Sequence, residues 1–333
     1  MTDAEIYVSF AGPHVTFQDA GRRGHMRFGV SASGPMDRLS FAAAHAALGN
    51  SPGQTAIEIS LAGVTLQCRE GEVTLAIMGE GFVFDHNGQK GTSGTVLTFR
   101  KGEKLSIRPG ATGSWAYLAF AGLLQSERWL GHSATHASSG FGGGAIQSGQ
   151  VLTVHDTSIH NDREGAISQY DHSLNAPIRV VMGPQDQHFA KEALSIFTSN
   201  PFAVTGAYDR MGMRLKGPLL ALDRALSIPS EPIVRGSVQV SGDGIATVLL
   251  SDHQTTGGYP KIATVISCDI DRLVQARSGQ QIRFTAVSPE QAISAVRDDS
   301  LSRSKYLDKI GEPLGTLEQR LMRNNLIHGE FFQ

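Results

Sequence analysis

The sequence is short of sulfur, of long apolar runs and of net charge. Its 333 residues hold two cysteines, Cys68 and Cys268, far apart in the chain. They form no Cys/His metal spacing and no disulfide framework of the kind small secreted domains need, so two reduced, buried thiols in a cytoplasmic protein are expected. No apolar run approaches the ~18 residues of a membrane helix. The N-terminal MTDAEIYVSF has neither the basic region nor the apolar core of a signal peptide. A net charge of -2 gives no general attraction to nucleic acid or to an anionic membrane. There is no Walker phosphate loop: FGGGAIQSG (141–149) is glycine-rich but lacks the Lys-Ser/Thr that would follow, and reads as a flexible loop. There is no Gly-X-Ser-X-Gly elbow for a nucleophilic serine. His132 and His136 stand four apart among Gly and Ser with no glutamate between them, and no metal site is expected there or elsewhere.

What is abundant is glycine, at 38 residues, beside few aromatics. That balance favours many short strands joined by tight turns. In the first half HVTFQ, TAIEIS, VTLAIMG, GFVFDH, TVLTF, KLSIRP and SWAYLAF are short, β-branched or aromatic, and punctuated by Gly, Asn or Pro. A helix is predicted from about Pro35 to Leu48, with Asp37 in its first turn and Gly49-Asn50 at its end. Its small face of Leu39, Ala43, Ala46 and Ala47 suits close packing on a sheet. The polar stretch 158–176 reads as a linker between an N-terminal β-barrel-like domain (1–157) and a C-terminal barrel (177–300), followed by a helical tail (301–333). The second half repeats the pattern: IRVVMG, FAVTG, MRLKGP, SVQVSG, IATVLLS, KIATVIS and QIRFTAV are strand-like. PQDQHFAKEALSIFTSN reads as a helix with Phe189, Ala193, Leu194 and Phe197 on one face. Ser288-Pro289-Glu290-Gln291 carries a capping-box signal.

DHQTTGGYPKIATVIS (252–267) holds more polar groups than a turn requires. Gly257 and Gly258 permit positive φ and close approach to a ligand. Gln254, Thr255 and Thr256 supply neutral donors and acceptors, Tyr259 a stacking face and Lys261 a point cation. A long decorated turn is the plainer alternative. In QDAGRRGHMRFG (18–29), Arg22, Arg23 and Arg27 suit a carboxylate or phosphate, against the alternative of a solvated basic loop. In YDRMGMRLKGP, Arg210 and Arg214 would share one side of a strand; an ion pair of Arg210 with Asp209 is the structural alternative.

These stretches also resemble a family. DHQTTGGYPKIATVIS with DIDRLVQARSGQQIRF is similar to the signature of the 5-oxoprolinase C-subunit family, also called allophanate hydrolase subunit 2 or biotin-dependent carboxyltransferase-like. TFQDAGRRGHMRFGVSASGPMDRLSFAAAHAALGN, AIEISLAG, VMGPQDQHF and YDRMGMRLKGP follow that family's blocks in order, up to about Val287. The resemblance implies a mainly β fold with a few helices, built from two cyclophilin-like β-barrel domains. It implies ATP-dependent opening of a cyclic or linear amide, foremost 5-oxoproline to glutamate. The implied partners are the A-like and B-like 5-oxoprolinase subunits, the latter also called allophanate hydrolase subunit 1. The family's other members are carboxyltransferase parts of biotin-dependent urea carboxylases and an antagonist of a kinase inhibitor, a non-catalytic binding protein. No biotinyl-lysine Met-Lys-Met sequence occurs, so biotin is expected on another chain and ATP at a site shared with a partner. Under this reading Asp252 is the candidate general base or orienter, Arg22 and Arg23 bind an anion, and Gln254 to Gly258 form a hydrogen-bonding cradle. The chain departs from the family at Ala134 and Ala145-Ile146, where relatives carry arginines, and in lacking a diproline near SVQVSGDG.

Overall fold

The computed structural model describes residues 3–170, 176–223 and 228–315. The fold is mainly β, with four α-helices among the described residues. Each run read as strand-like contains a strand. Four further strands of some length, Ala4–Ala11, Val64–Glu70, Gln89–Thr92 and Val151–His155, were not foreseen. In Val64–Glu70 only Val64, Leu66 and Cys68 are buried, so a two-residue period is there, but the polar Gln, Arg and Glu dilute it.

In the first half the strands lie in two sheets. One has seven strands in the order Leu123–Leu124, Val151–His155, Ala4–Ala11, Val64–Glu70, Lys104–Pro109, Phe82–His86, Gln89–Thr92. The other has six: Gly165–Ala166, Thr95–Arg100, Glu72–Gly79, Ala116–Phe120, Ala56–Ile59, Thr16–Gln18. Ile6, Val64, Leu66 and Ile107 from the first sheet pack with Ile57, Leu75, Ile77 and Leu118 from the second. The stretch 158–176 does more than connect. Its Gly165–Ala166 pairs with Thr95–Val96 at the sheet edge, and Gln169 Nε2 donates to the Ser93 carbonyl at 2.7 Å.

The second half closes into a seven-stranded barrel. Its order is Ile178–Met182, Lys261–Val265, Ser237–Val240, Ala246–Leu249, Gly212–Lys216, Pro201–Tyr208, Gln281–Ala286. All neighbours are antiparallel except the closing pair, Ile178–Met182 with Gln281–Ala286, which is parallel. Val180, Val238, Val248 and Phe284 fill the interior.

The helices differ from expectation in three places. Helix α1 spans Arg38–Leu48 and starts after Pro35, because Asp37 is its N-cap and accepts from Ser40 N at 2.9 Å. Its Ala43, Ala44 and Ala47 lie against Ala76, Met78 and Ala119 of the six-stranded sheet. The helix read from Pro184 is split: a 3-10 turn at Asp186–His188 precedes α2 at Lys191–Ser199, and Phe189 reaches the barrel core from outside the helix. Helix α3, Ser267–Val274, was missed: its first residue closes the run KIATVIS, which reads as a strand, and its Asp269, Asp271 and Arg272 are buried in ion pairs. Helix α4, Pro289–Gly311, opens with the expected capping box at Ser288 and runs across residues 300–301. Most of the amphipathic stretch LGTLEQRLMRNNL falls outside the described residues.

The halves are joined by specific bonds. Met36 and Trp115 of the first half belong to the barrel's apolar cluster. Gln275 Oε1 accepts from Ser114 N and Trp115 N at 2.8 and 3.0 Å, and its Nε2 donates to Asp37 at 2.7 Å. Arg277 donates to the carbonyls of Gly110, Thr112 and Gly113. Both cysteines are free and buried, and no described helix is long and apolar enough to cross a membrane.

Candidate functional site

Residues 250–260 are no hairpin turn. The strands on either side, Ala246–Leu249 and Lys261–Val265, are not neighbours; Ser237–Val240 lies between them and pairs with both. The segment is a crossover, and its length follows from having to pass a whole strand. Midway, Thr256–Gly257 pairs with Glu231–Pro232 in a two-stranded ribbon.

At its start the crossover is anchored by charge. Asp252 has no exposed surface. Its Oδ1 accepts from Arg210 Nη2 and its Oδ2 from Arg210 Nε, both at 2.9 Å, and Oδ2 also accepts from Ala137 N at 2.9 Å. Arg210 is equally buried; it donates to Glu58 of the first half and to the Gly34 carbonyl at 2.8 Å. Glu58 Oε2 accepts from Met36 N and Tyr117 Oη, each at 2.8 Å. Burial opposes both charges, but Arg210 outweighs it at Asp252, and Asp252 with Glu58 outweighs it at Arg210. The carboxyl is held below its ordinary value and the guanidinium above. This corrects the reading of Asp252 as a proton acceptor: both oxygens are occupied by Arg210 and Ala137 N, and no solvent reaches them. It also corrects the Arg210–Asp209 pair, because Asp209 instead accepts from Met211 N and Gly212 N. Arg214 does not share a side with Arg210; it is exposed and pairs with Asp243 at 2.9 Å.

At its end the crossover delivers Lys261, which is 3% exposed. Its Nζ has no hydrogen-bond partner and lies 3.6 Å from Glu231 Oε2. The Lys261 N–H donates to Gln185 Oε1 at 3.0 Å, while Gln185 Nε2 donates to Glu231. VMGPQDQHF and DHQTTGGYPK, remote in sequence, therefore meet at the Lys261 backbone. Gln239 is the cross-strand partner of Lys261. It accepts from Gln254 Nε2 at 3.4 Å and donates to the Tyr259 carbonyl at 3.3 Å. Gln239, Gln254, Tyr259, Asp209 and Arg214 line a cavity of about 390 Å³ on the outside of the barrel. Gln254 and Thr256 are exposed and Thr255 half-buried, its carbonyl accepting from Ile233 N at 3.0 Å. Neither Gly257 nor Gly258 has positive φ. The need for glycine at 257 is close packing, since a Cβ there would strike Ile233 and come within 2.6 Å of Gln239 Nε2.

The three arginines of the first loop separate. Arg22 has no exposed surface; it donates to the Ala134 carbonyl, and its guanidinium sits 5.0 Å from the centroid of Trp129. Its Nε and Nη1 have no partner. Burial lowers its pKa, opposed by Asp19 and Asp252. Arg23 is exposed and lines, with Arg38, Phe41 and Leu307, a different cavity of about 480 Å³. Arg27 is exposed over the Phe28 ring. Sequence reading passed over Glu58, Gln185, Glu231 and Gln239; the first two stand inside the blocks AIEISLAG and VMGPQDQHF, which was the signal available. His132 and His136 diverge, one to Asp19 at 3.3 Å and the other to Ser139 Oγ at 2.8 Å. Among the described residues no three His, Cys, Asp or Glu side chains are placed to hold a metal ion.

The chain is thus a mainly β protein in which a sheet pair is locked to a closed barrel through the buried Glu58–Arg210–Asp252 cluster. The chain belongs to the carboxyltransferase domain, subdomain A and B, family, whose model matches residues 28–286. It is 32% identical over 299 residues to the 5-oxoprolinase C subunit of Haemophilus influenzae, covering 89% of this chain and 94% of that one. It is 30% identical over 303 residues to the Escherichia coli protein of the same name, covering 90% and 96%. Among solved structures, K. lactis urea amidolyase matches with a TM-score of 0.82 at 24% identity, over 92% of this chain and 20% of that one, which is a likeness of fold.

Proposed function

We propose that this chain is one component of an ATP-dependent amidohydrolase that opens a cyclic or linear amide, 5-oxoproline foremost, together with A-like and B-like partner subunits. The observation that carries the reading is Lys261: a buried ammonium with no hydrogen bond, 3.6 Å from Glu231 Oε2, on a residue whose backbone N–H is held by Gln185 and whose cross-strand partner is Gln239. Opening an amide builds negative charge on its carbonyl oxygen, and a fixed donor in a water-poor site stabilises that charge. Lys261 would supply the donor, the glutamines would orient the amide, and Arg22, with Nε and Nη1 open, would take a carboxylate. Two relatives at 30% identity or more are named as the C subunit of 5-oxoprolinase, which supports work within a complex.

ATP, when bound, supplies the phosphoryl group that activates the amide. The glycine-rich run does not fit it. A Cβ at Gly142 would strike the Ala134 carbonyl, and one at Gly143 would lie 2.6 Å from Phe17 Cβ, so these glycines serve packing. We place the nucleotide at a site shared with a partner, and the soluble cytoplasm as the setting. A second reading, carboxyl transfer from a biotin held by another polypeptide, is favoured by the family's own description. Reconstitution separates them: the chain alone should show no 5-oxoproline turnover, and adding the A-like and B-like subunits with ATP should restore it. Robust turnover by the chain alone, or turnover that depends on a biotin carrier, would overturn the first reading.

A further inference from the structure

We propose that the cavity between α1 and α4 binds a small organic ammonium ion, with Glu80 as its counter-ion. The cavity is about 300 Å³ and is lined by Ser40, Ala43, Met78, Glu80, Tyr170 and Tyr306, among others. Among the described residues Glu80 is its one charged wall residue. It follows directly on the strand Glu72–Gly79, and its Oε2 is buried without a hydrogen-bond partner. A buried acceptor left open is costly, and a cationic donor is the group that meets both its charge and its lone pairs.

The surroundings keep the site negative. Arg277, whose charge acts on Glu80, is committed to the carbonyls of Gly110, Thr112 and Gly113. Asp37, whose charge also reaches Glu80, adds a second negative field while bonded to Ser40 and Gln275. Tyr170 and Tyr306 meet edge to face with centroids 5.3 Å apart, and burial raises both phenols, Tyr306 to about 12, so both rings stay neutral. The Tyr170 hydroxyl is turned to Asp299 at 3.5 Å. Aromatic rings beside a carboxylate are the usual setting for an ammonium group. Burial first, then Asp37, pushes Glu80 up to about 7, against the Thr112 hydroxyl and Arg277; bringing in a cation reverses that shift. Tyr306 lies on α4, beyond residue 286 where the family match ends, and the cavity shares no wall residue with the crossover site.

The test is an NMR titration of the full chain with n-propylammonium chloride and, separately, with 1-propanol, which has the same length and no charge. At pH 8 the ammonium should bind saturably and the alcohol should not. Between pH 8 and pH 6 its affinity should fall roughly tenfold as Glu80 takes up a proton. Glu80→Gln keeps the shape and should lose roughly tenfold at pH 8; Tyr306→Ala should weaken binding as well, with the fold checked by its amide spectrum. Absence of saturable ammonium binding, equal affinity for propanol, or unchanged affinity in Glu80→Gln would overturn the proposal. No partner protein is needed, so failure here leaves the Lys261 reading untouched.

Discussion

Arg210 and Asp252 face each other fork to fork, Nε to Oδ2 and Nη2 to Oδ1, both at 2.9 Å and both sealed from solvent. Arg210 precedes the strand Gly212–Lys216, and Asp252 opens the crossover. Through Glu58 the same guanidinium grips the first half of the chain. The pair thus ties the crossover's start to the joint between the two halves.

Asp252→Asn should therefore act through stability. Breaking one side of a buried pair strands the other charge, at about 3–5 kcal/mol. Urea unfolding should register that loss, and activity of the reconstituted complex should fall in step with it. A variant of normal stability and no activity would return Asp252 to a chemical role.

The two glycines of the crossover should differ. At Gly257 a Cβ meets Ile233 and Gln239, whereas at Gly258 the nearest atom is the Ile228 carbonyl oxygen at 3.1 Å. Gly257→Ala should cost about 1–3 kcal/mol from overpacking. Gly258→Ala should cost less than Gly257→Ala, read from thermal midpoints measured side by side. The reverse order would mean that backbone conformation, not packing, selects glycine here.

Glu80 makes stability depend on pH. Its folded pKa is raised from 4.5 to about 7, so the stability of the protonated carboxyl is complete below 4.5 and lost as pH rises to 7. Glu80→Gln removes that loss. It should stabilise the protein by about 1–3 kcal/mol at pH 8 and have little effect near pH 4.5. Denaturant midpoints at the two pH values decide it; an equal difference at both would show that Glu80 is not the titrating group.

The strands were legible where a β-branched run met a Gly or Pro stop, as in KIATVIS and TVLTF. They were illegible where half of the strand is polar, as in VTLQCRE. Helix α3 was hidden because it is only eight residues long and follows at once on the strand-like run KIATVIS, whose last residue, Ser267, is its first. The excess of polar groups in 252–261 is legible in the sequence; the crossover they lie on is not, and the sequence reads there as a turn. That the strand Ser237–Val240 separates its two flanks is a fact of barrel order, and nothing within residues 250–260 encodes it. Arg22, Arg210 and Lys261 were named as cations. Which of them is neutralised by a carboxylate fork and which is left with open donors depends on partners such as Glu58, remote in sequence.

The central claim is that Lys261 faces the reacting amide. Lys261→Met keeps the buried stem and removes an ammonium that makes no hydrogen bond and lies 3.6 Å from the half-exposed Glu231 carboxylate, a contact that solvent screens, so the thermal midpoint should shift little. ATP-dependent 5-oxoproline turnover by the complex rebuilt around this variant should fall roughly 10²–10³-fold, as for a lost charge-stabilising donor. Turnover matching the wild-type complex, at unchanged thermal midpoint, would contradict the claim.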